Sequence, residues 1–327
     1  MPINILHVTT TFFPDISGIS TRIHVTTQKV LSVQNHSVAV FDRIDERQLE
    51  SDTFEGLRVR RFDRFSTHAC HPLLDPGPKV QQSIEKALDF IRQIAPTCIV
   101  LYHSRYPRTF MHAIAGEFPI VYIPIVEPTD SCSLLLDSPQ VKIALYGEAC
   151  VDDYLQIGFD SRQILVLDGP IDTDVFRPLD VPRDPFRLLY VGRLDPNKCI
   201  PEFIEINAQL FRDHPRLHLH IVGDMKPSAL TDAVENEVRR IRETADHVGL
   251  SDRIVFRGRC SEDELLQEYS EASIHVLPSR IEAMSTVTQE AITMGLQCVN
   301  LGKRRCDWPE FTPDGKRLVH YVERFQD

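Results

Sequence analysis

The sequence is short of several things, and each shortage excludes a class of protein. It contains no apolar run of ~18 residues, the length a membrane-spanning helix needs. Its first residues, MPINILHV, lead straight into a strand pattern without the features of a signal peptide. Its 8 cysteines include no C-x-x-C pair, which argues against a disulfide framework and for reduced thiols in a cytoplasm. His68, Cys70 and His71 cluster in a Pro-rich stretch, but no second ligand pair follows at a usable spacing, so no metal is expected. Basic residues are outnumbered, 36 Lys and Arg against 47 Asp and Glu, for a net charge of −11. Nucleic-acid binding rests on clustered cations, so no nucleic-acid partner is expected. The first strand is not followed by G-x-G-x-x-G, which counts against a nicotinamide-dependent oxidoreductase.

What is present alternates strand and helix patterns. Ile3 to Val8 is an apolar strand, followed by a loop, a helical stretch from about Thr21 to Val33, and the strand His36 to Phe41. Leu57 to Phe62 alternates apolar and basic residues as a half-exposed or edge strand does. Val80 to Ile94 is an amphipathic helix, and Cys98 to Tyr102 and Ile120 to Val126 are strands. Pro178, Pro182 and Pro185 stiffen a crossing between two domains, expected at 1–182 and 183–327. Beyond that crossing, strands at Phe186 onward, Leu217 to Gly223, Arg253 to Arg259 and Ala272 to Ser279 recur at α/β spacing. The fold expected is α/β, with two doubly wound Rossmann-like domains.

Two stretches of the second domain carry chemistry. In FRLLYVGRLDPNKCIPEF a buried strand runs into Gly192 and Arg193, then Lys198, then a helix with Pro201 at its start. Both cations can reach one anion seated on the helix N-terminus. In PSRIEAMSTVTQEAITMG, Glu282 follows a strand, and Glu290 lies one turn into the next helix, with seven residues between them. Thr286 and Gln289 have capping-box spacing, Val287, Ala291 and Met294 share a face, and Gly295 is a left-handed stop. In a parallel sheet such strand tips are where ligands bind.

Ser279, Glu282, Ala283, Met284, Ser285, Glu290, Ala291 and Gly295 resemble the E-x7-E signature of retaining glycosyltransferases of the GT-B architecture, family 4. Gly192, Arg193 and Lys198 are similar to the family's diphosphate-binding motif, with Cys199 where the family has glycine. Gly169, Ile171, Asp172 and Phe176 match the segment before its linker, and Asp172 is a turn or cap residue rather than part of a metal-binding D-x-D. The resemblance implies two domains facing across a cleft, the first for the acceptor and the second for the donor. It implies sugar transfer from a nucleoside diphosphate sugar to a glycan, lipid-linked or small-molecule hydroxyl, with retention and without a metal or bound cofactor. Arg193 and Lys198 would neutralise the diphosphate, assisted by N–H groups near Ser285 and Thr286. Glu282 would hold the sugar hydroxyls, and Glu290 the ribose diol. Gly18 of the first loop would approach the phosphates, while backbone near Arg259 and Cys260, with Met284, would complete the donor site. Cys199 is expected to crowd the phosphate or to narrow the choice of donor. Glu127 and His103 lie at strand tips on the acceptor side without an assigned role. Polysaccharide biosynthesis and peripheral membrane contact are among the settings the family offers. The family's further C-terminal helices, one crossing back to the first domain, are expected to be missing after Val319, with the chain shortened or closed in a different way. Two other readings stay open: a nucleotide-binding relative without turnover, and a sugar-nucleotide epimerase.

Overall fold

The computed structural model describes residues 3–14, 17–41, 50–63, 77–102, 106–124, 130–148, 150–225, 233–280, 282, 285–301 and 319–322. The chain forms two compact units, residues 1–170 and 171–327.

The first unit is built on an eight-stranded sheet. Its strands are β1 (Asn4–Thr9), β2 (Asn35–Val40), β3 (Ser51–Phe54), β4 (Leu57–Arg61), β5 (Cys98–Tyr102), β6 (Ile120–Ile123), β7 (Val141–Tyr146) and β8 (Ile164–Leu167). Their order is β3-β4-β2-β1-β5-β6-β7-β8, parallel throughout except for the β3–β4 pair. Alternation along the strands covers both faces. Ala39 and Phe41 join a core with Ile84, Phe90, Phe110 and Ile114 from the helices Pro78–Ile94 and Arg108–Glu117. Val38 and Val40 point the other way, into a core with Phe12 and Ile23. The alternating strand at Leu57 is half-exposed, as its pattern suggests, and not an edge strand, because β3 pairs with it on the outside. The helix after β1 runs Gly18–Val25 and continues as one π-turn to Val30, so it starts and ends earlier than its sequence pattern suggests. Burial on β1 leaves His7 neutral, with its pKa lowered to about 3. Its ring nitrogens meet the Tyr102 hydroxyl at 3.3 Å and the His36 ring at 3.0 Å.

The second unit has six parallel strands, β9 (Arg187–Val191), β10 (His218–Val222), β11 (Ile254–Gly258), β12 (Ile274–Leu277), β13 (Gln297–Leu301) and β14 (Val319–Val322). Their order is β11-β10-β9-β12-β13-β14. The first strand in sequence, β9, therefore lies in the middle, with β10 on one side and β12 on the other. Leu188 and Tyr190 face the core that holds Ile200 and Ile204 of the helix Ile200–Ile206. Leu189 and Val191 face the opposite core, with Ala291 and Met294 from the end of the helix Thr286–Thr293. Segment 171–182, assigned to the first domain from the sequence, packs on this unit instead. Phe176 joins its core, the Leu179 N–H donates to Ser270 Oγ at 3.2 Å, and the adjoining Arg183 donates to the carbonyls of Ala272 and Met294. Asp172 acts as a turn residue, accepting the Asp174 N–H at 3.1 Å.

A buried carboxylate ties three of these strands to a helix. Glu268, on the helix Glu262–Glu271, accepts from His220 of β10 at 2.7 Å and from Arg257 of β11 at 2.6 Å, with Arg187 of β9 at 3.7 Å. Removing the carboxylate leaves the buried end of His220 without its partner, while Arg187 keeps Glu271 at 2.5 Å. Glu268→Ala is expected to lower unfolding stability by about 3–5 kcal/mol, measured by urea denaturation of the full chain.

Candidate functional site

In the second unit the sheet reverses direction of growth between β9 and β12. The loop leaving β9 leads to a helix on one face, and the loop leaving β12 to a helix on the other. A crevice opens between loops that diverge in this way, at the carboxyl ends of the strands. Three glycines mark those ends. Gly192 donates its N–H to the Val222 carbonyl, and Gly223 to the Gly258 carbonyl. A Cβ on Gly223 would lie 2.3 Å from the Gly192 carbonyl oxygen, so only glycine permits this approach of the two tips.

The loop after β9 is shaped by Asp195. Its carboxylate accepts the Asn197 N–H at 3.1 Å and caps the 3₁₀ turn Pro196–Lys198. That turn aims Lys198 across at Glu282, and the two form an ion pair, both largely shielded from solvent. The Arg280 N–H donates to the Asn197 carbonyl at 3.0 Å, fastening the two loops together, and its guanidinium lies 3.5 Å from Glu202. Arg193 does not join the pair. Its side chain is 78 % exposed, 3.5 Å from Asp195.

Cys199 adopts a left-handed conformation, φ +50°. That conformation costs a non-glycine residue roughly 1–2 kcal/mol, which accounts for glycine at this place in the resembling sequences. The expected crowding of a phosphate is not what the side chain does. Its thiol is buried and turned back on the loop, 3.6 Å from the Pro196 carbonyl and 3.5 Å from that of Asn197. Burial pushes the thiol pKa up, with Arg280 acting against it.

After β12, Ser285 rather than Thr286 caps the helix, accepting the Thr288 N–H at 3.3 Å. The cap stands one residue earlier than the Thr286–Gln289 pattern indicates, and Thr286 is already helical. Gly295 takes the left-handed stop, φ +81°. Glu290 lies inside the unit, buried, with Oε2 accepting from the Tyr269 hydroxyl at 2.8 Å. Burial raises its pKa to about 7, while the Tyr269 hydrogen bond pulls it the other way. Nearby polar groups are short of partners: among the described residues, neither ring nitrogen of His275 nor the Ser279 hydroxyl has a hydrogen bond.

The structure thus brings Lys198, Glu282 and the cap residues Ser285 and Thr286 to neighbouring tips. Gly192 sits at their base. Arg259 is exposed just beyond β11, two strands from β9, with Cys260 half-buried beside it. Gly18 belongs to the first unit, where it opens a helix capped by Ser17, whose hydroxyl accepts the Ser20 N–H at 3.1 Å. Met284, Glu127, His103 and the cluster His68, Cys70 and His71 lie outside the described residues, as do Pro309 to Gly315. Sequence reasoning passed over Asp195, Arg280, Glu202 and Tyr269. Asp195 had a signal, an Asp just before Pro at a loop start. Tyr269 had none, since its partner is on another helix. Among the described residues no helix is long and apolar enough to cross a membrane.

Residues 172–301 match the family model described as glycosyl transferases group 1. The D-inositol 3-phosphate glycosyltransferase of Geodermatophilus obscurus is 30% identical over 162 residues, 46% of this chain and 34% of that protein. The mannosylfructose-phosphate synthase of Agrobacterium fabrum is 25% identical over 181 residues, 52% of this chain and 37% of that protein. The matched part spans about a third of the length of these curated relatives. Among solved structures, the sucrose-phosphate synthase of Thermosynechococcus elongatus superposes with a TM-score of 0.73 at 15% identity, covering 98% of this chain and 87% of that one. Anabaena HepE in complex with UDP-glucose gives 0.71 at 14% identity, covering 99% and 87%. The fold is thereby the α/β fold with two Rossmann-like sheets found in GT-B structures.

Glu290 generates a pH prediction. Its proton is held more tightly in the fold, at about 7, than at its ordinary value of 4.5. The protonated form therefore favours folding, and this contribution falls away as pH rises between those two values. Glu290→Gln is expected to lose less stability than the parent between pH 5 and pH 8. Thermal unfolding at the two pH values measures this, and equal losses would contradict it.

Proposed function

We propose that this protein is a retaining glycosyltransferase of the GT-B family 4 type, which transfers a sugar from a nucleoside diphosphate sugar to an acceptor hydroxyl. The observation that carries the reading is the Lys198–Glu282 pair at the reversal point of the second sheet, beside a helix N-terminus. The match of residues 172–301 to the group 1 family model supports it, as do the names of the two curated relatives, a glycosyltransferase and a sugar-phosphate synthase.

The leaving group is a nucleoside diphosphate, so negative charge grows on its distal phosphate as the glycosidic bond breaks. Lys198 is neutralised by Glu282 when no donor is bound. A phosphate carries more charge than a carboxylate and takes the ammonium in its place. That exchange frees Glu282 to accept hydrogen bonds from the sugar hydroxyls, so one event places both partners. Arg193, exposed on the same loop, adds a second cation, and the N–H groups of the turn at Ser285 and Thr286 add dipoles of the right sign. These groups supply the positive charge for which other sugar transferases recruit a divalent ion. Glu290 accepts the ribose hydroxyls. The acceptor oxygen attacks from the face the diphosphate leaves, and the departing phosphate takes its proton, which preserves the anomeric configuration. The acceptor is a hydroxyl of a glycan, a lipid-linked sugar or a small polyol, and the reaction belongs to the cytoplasmic side, with or without peripheral membrane contact.

The test is release of nucleoside diphosphate from a panel of UDP-, GDP- and ADP-sugars. One preorganised donor to a developing charge is worth ~2.7–4 kcal/mol. Lys198→Ala is expected to lower turnover by about 10²–10³ without unfolding the chain, and Glu282→Gln to weaken sugar-nucleotide use while leaving binding of the bare diphosphate. Unchanged turnover in Lys198→Ala would overturn the reading.

A further inference from the structure

We propose that Tyr269 is the positioning residue for Glu290, fixing its carboxylate to receive a ribose 2′,3′-diol and so setting the preference for ribo- over 2′-deoxyribonucleoside diphosphates. The inference rests on the reading of Glu290 as the ribose contact given above.

A glutamate side chain is long and has many rotamers. To accept two hydroxyls of one sugar it must present both oxygens in one place, and a mobile carboxylate loses affinity on being ordered. Here the ordering is done before any ligand arrives. The Tyr269 hydroxyl donates to Glu290 Oε2 at 2.8 Å. The same hydroxyl lies 3.3 Å from the Val287 carbonyl, in the first turn of the helix that carries Glu290. Tyr269 therefore grips both the carboxylate and the backbone turn that aims it.

The tyrosine is itself immobile. It is wholly buried, in a core with Leu189, Ala291 and Met294. Phe176 meets its ring edge-on at 6.3 Å, and the His275 ring lies at 6.3 Å on the β12 side. The phenol thus has one place to put its oxygen, and the carboxylate inherits that precision.

The neighbouring titratable groups do not compete. His275 on β12 is held neutral by burial, its pKa lowered to about 3, and the buried Cys298 thiol on β13 is pushed up to about 12. Tyr269 is pushed up by burial and by the Glu290 charge. Glu290 is then the member of the group that titrates near neutrality. Its ionised form is the better acceptor of hydroxyl protons, so ribose recognition strengthens as pH rises through its pKa. The Tyr269 hydrogen bond works against burial and lowers that pKa, so a larger share of the carboxylate is ionised at neutral pH.

The experiment is calorimetric binding of UDP, GDP and ADP beside their 2′-deoxy counterparts, from pH 6 to pH 8.5, to the full chain and to Tyr269→Phe and Glu290→Gln. The parent is expected to prefer the ribonucleotide, more strongly at higher pH. Glu290→Gln removes the preference and its pH dependence. Tyr269→Phe is expected to reduce the preference about tenfold and to move its midpoint to higher pH, while deoxynucleotide affinity stays within about twofold. A structural loss alone would weaken both nucleotides equally. A fluorinated tyrosine at position 269 keeps the shape and donates more strongly, and moves the midpoint to lower pH; it serves if Tyr269→Phe does not fold. The proposal is overturned if Glu290→Gln loses the preference while both changes at Tyr269 leave preference and midpoint intact. Retention of the preference in Glu290→Gln overturns the ribose reading instead, and the proposal with it.

Discussion

Everything at the candidate site depends on β9 and β12 being neighbours. The register pairs Ile274 with Leu188 and His275 with Leu189, so the two strands run side by side to adjacent tips. Neighbouring parallel strands stand about 4.8 Å apart. Lys198 and Glu282 are far apart in sequence, yet the sheet presents them on adjoining loops. Their separation is then a matter of two short loops, which Arg280 and Asn197 fasten by a backbone hydrogen bond. Crossovers to opposite faces do the rest. Ile200 and Ile204 pack on one side of the sheet and Ala291 on the other, so neither helix fills the space above the tips. The same arrangement would accept many ligands. It is the cation, the acid and the helix start placed there that narrow the chemistry.

That placement runs against stability. Glu290 is a buried carboxylate held by one tyrosine, and His275 is a buried imidazole without a hydrogen bond among the described residues. A hydrophobic interior would do better at both positions. The opposite holds one residue away from Tyr269, on the same helix. Glu268 there meets a histidine and two arginines, and its charge is matched where it is buried. One buried acid meets three basic groups, and the other, among the described residues, a single hydroxyl. Under the proposed ribose role, a carboxylate with one such hydroxyl partner keeps capacity for a ligand, and the cost in stability goes with that role.

Much of this was legible in the sequence. The strands from Phe186 onward stand out because a parallel sheet, buried on both faces, demands short continuous apolar runs, and the helices between them carry clear caps and stops. Lys198 and Glu282 could be named because loops at strand tips bear residues that no packing rule explains. Gly295 was readable because a left-handed stop has one favoured residue. The first unit was harder. β3, β7 and β8 went unread, since SDTF is polar and short and ILVL sits inside a stretch that also reads as a linker. The cap at Ser285 was missed by one residue because serine and threonine alternate there and both can cap. Partnerships were the least legible of all. That Arg193 stands apart beside Asp195, and that Tyr269 holds Glu290, follows from side-chain directions in space. No local pattern encodes those.

Cys199 shows the difference between a conformational and a chemical requirement. The position needs φ near +50°, because the chain must leave the 3₁₀ turn and begin the helix Ile200–Ile206 without a break. Glycine meets that need at no steric cost. Cysteine meets it by strain, and the strain is offset where the thiol finds a dry niche under Pro196 and Asn197. The substitution looks alarming in the sequence, since it stands beside the lysine proposed to hold the diphosphate. In space the side chain turns away from the tip, and Lys198 still reaches Glu282. A departure from a familiar motif therefore weighs against function only when the new atoms point at the ligand, and here they point into the fold.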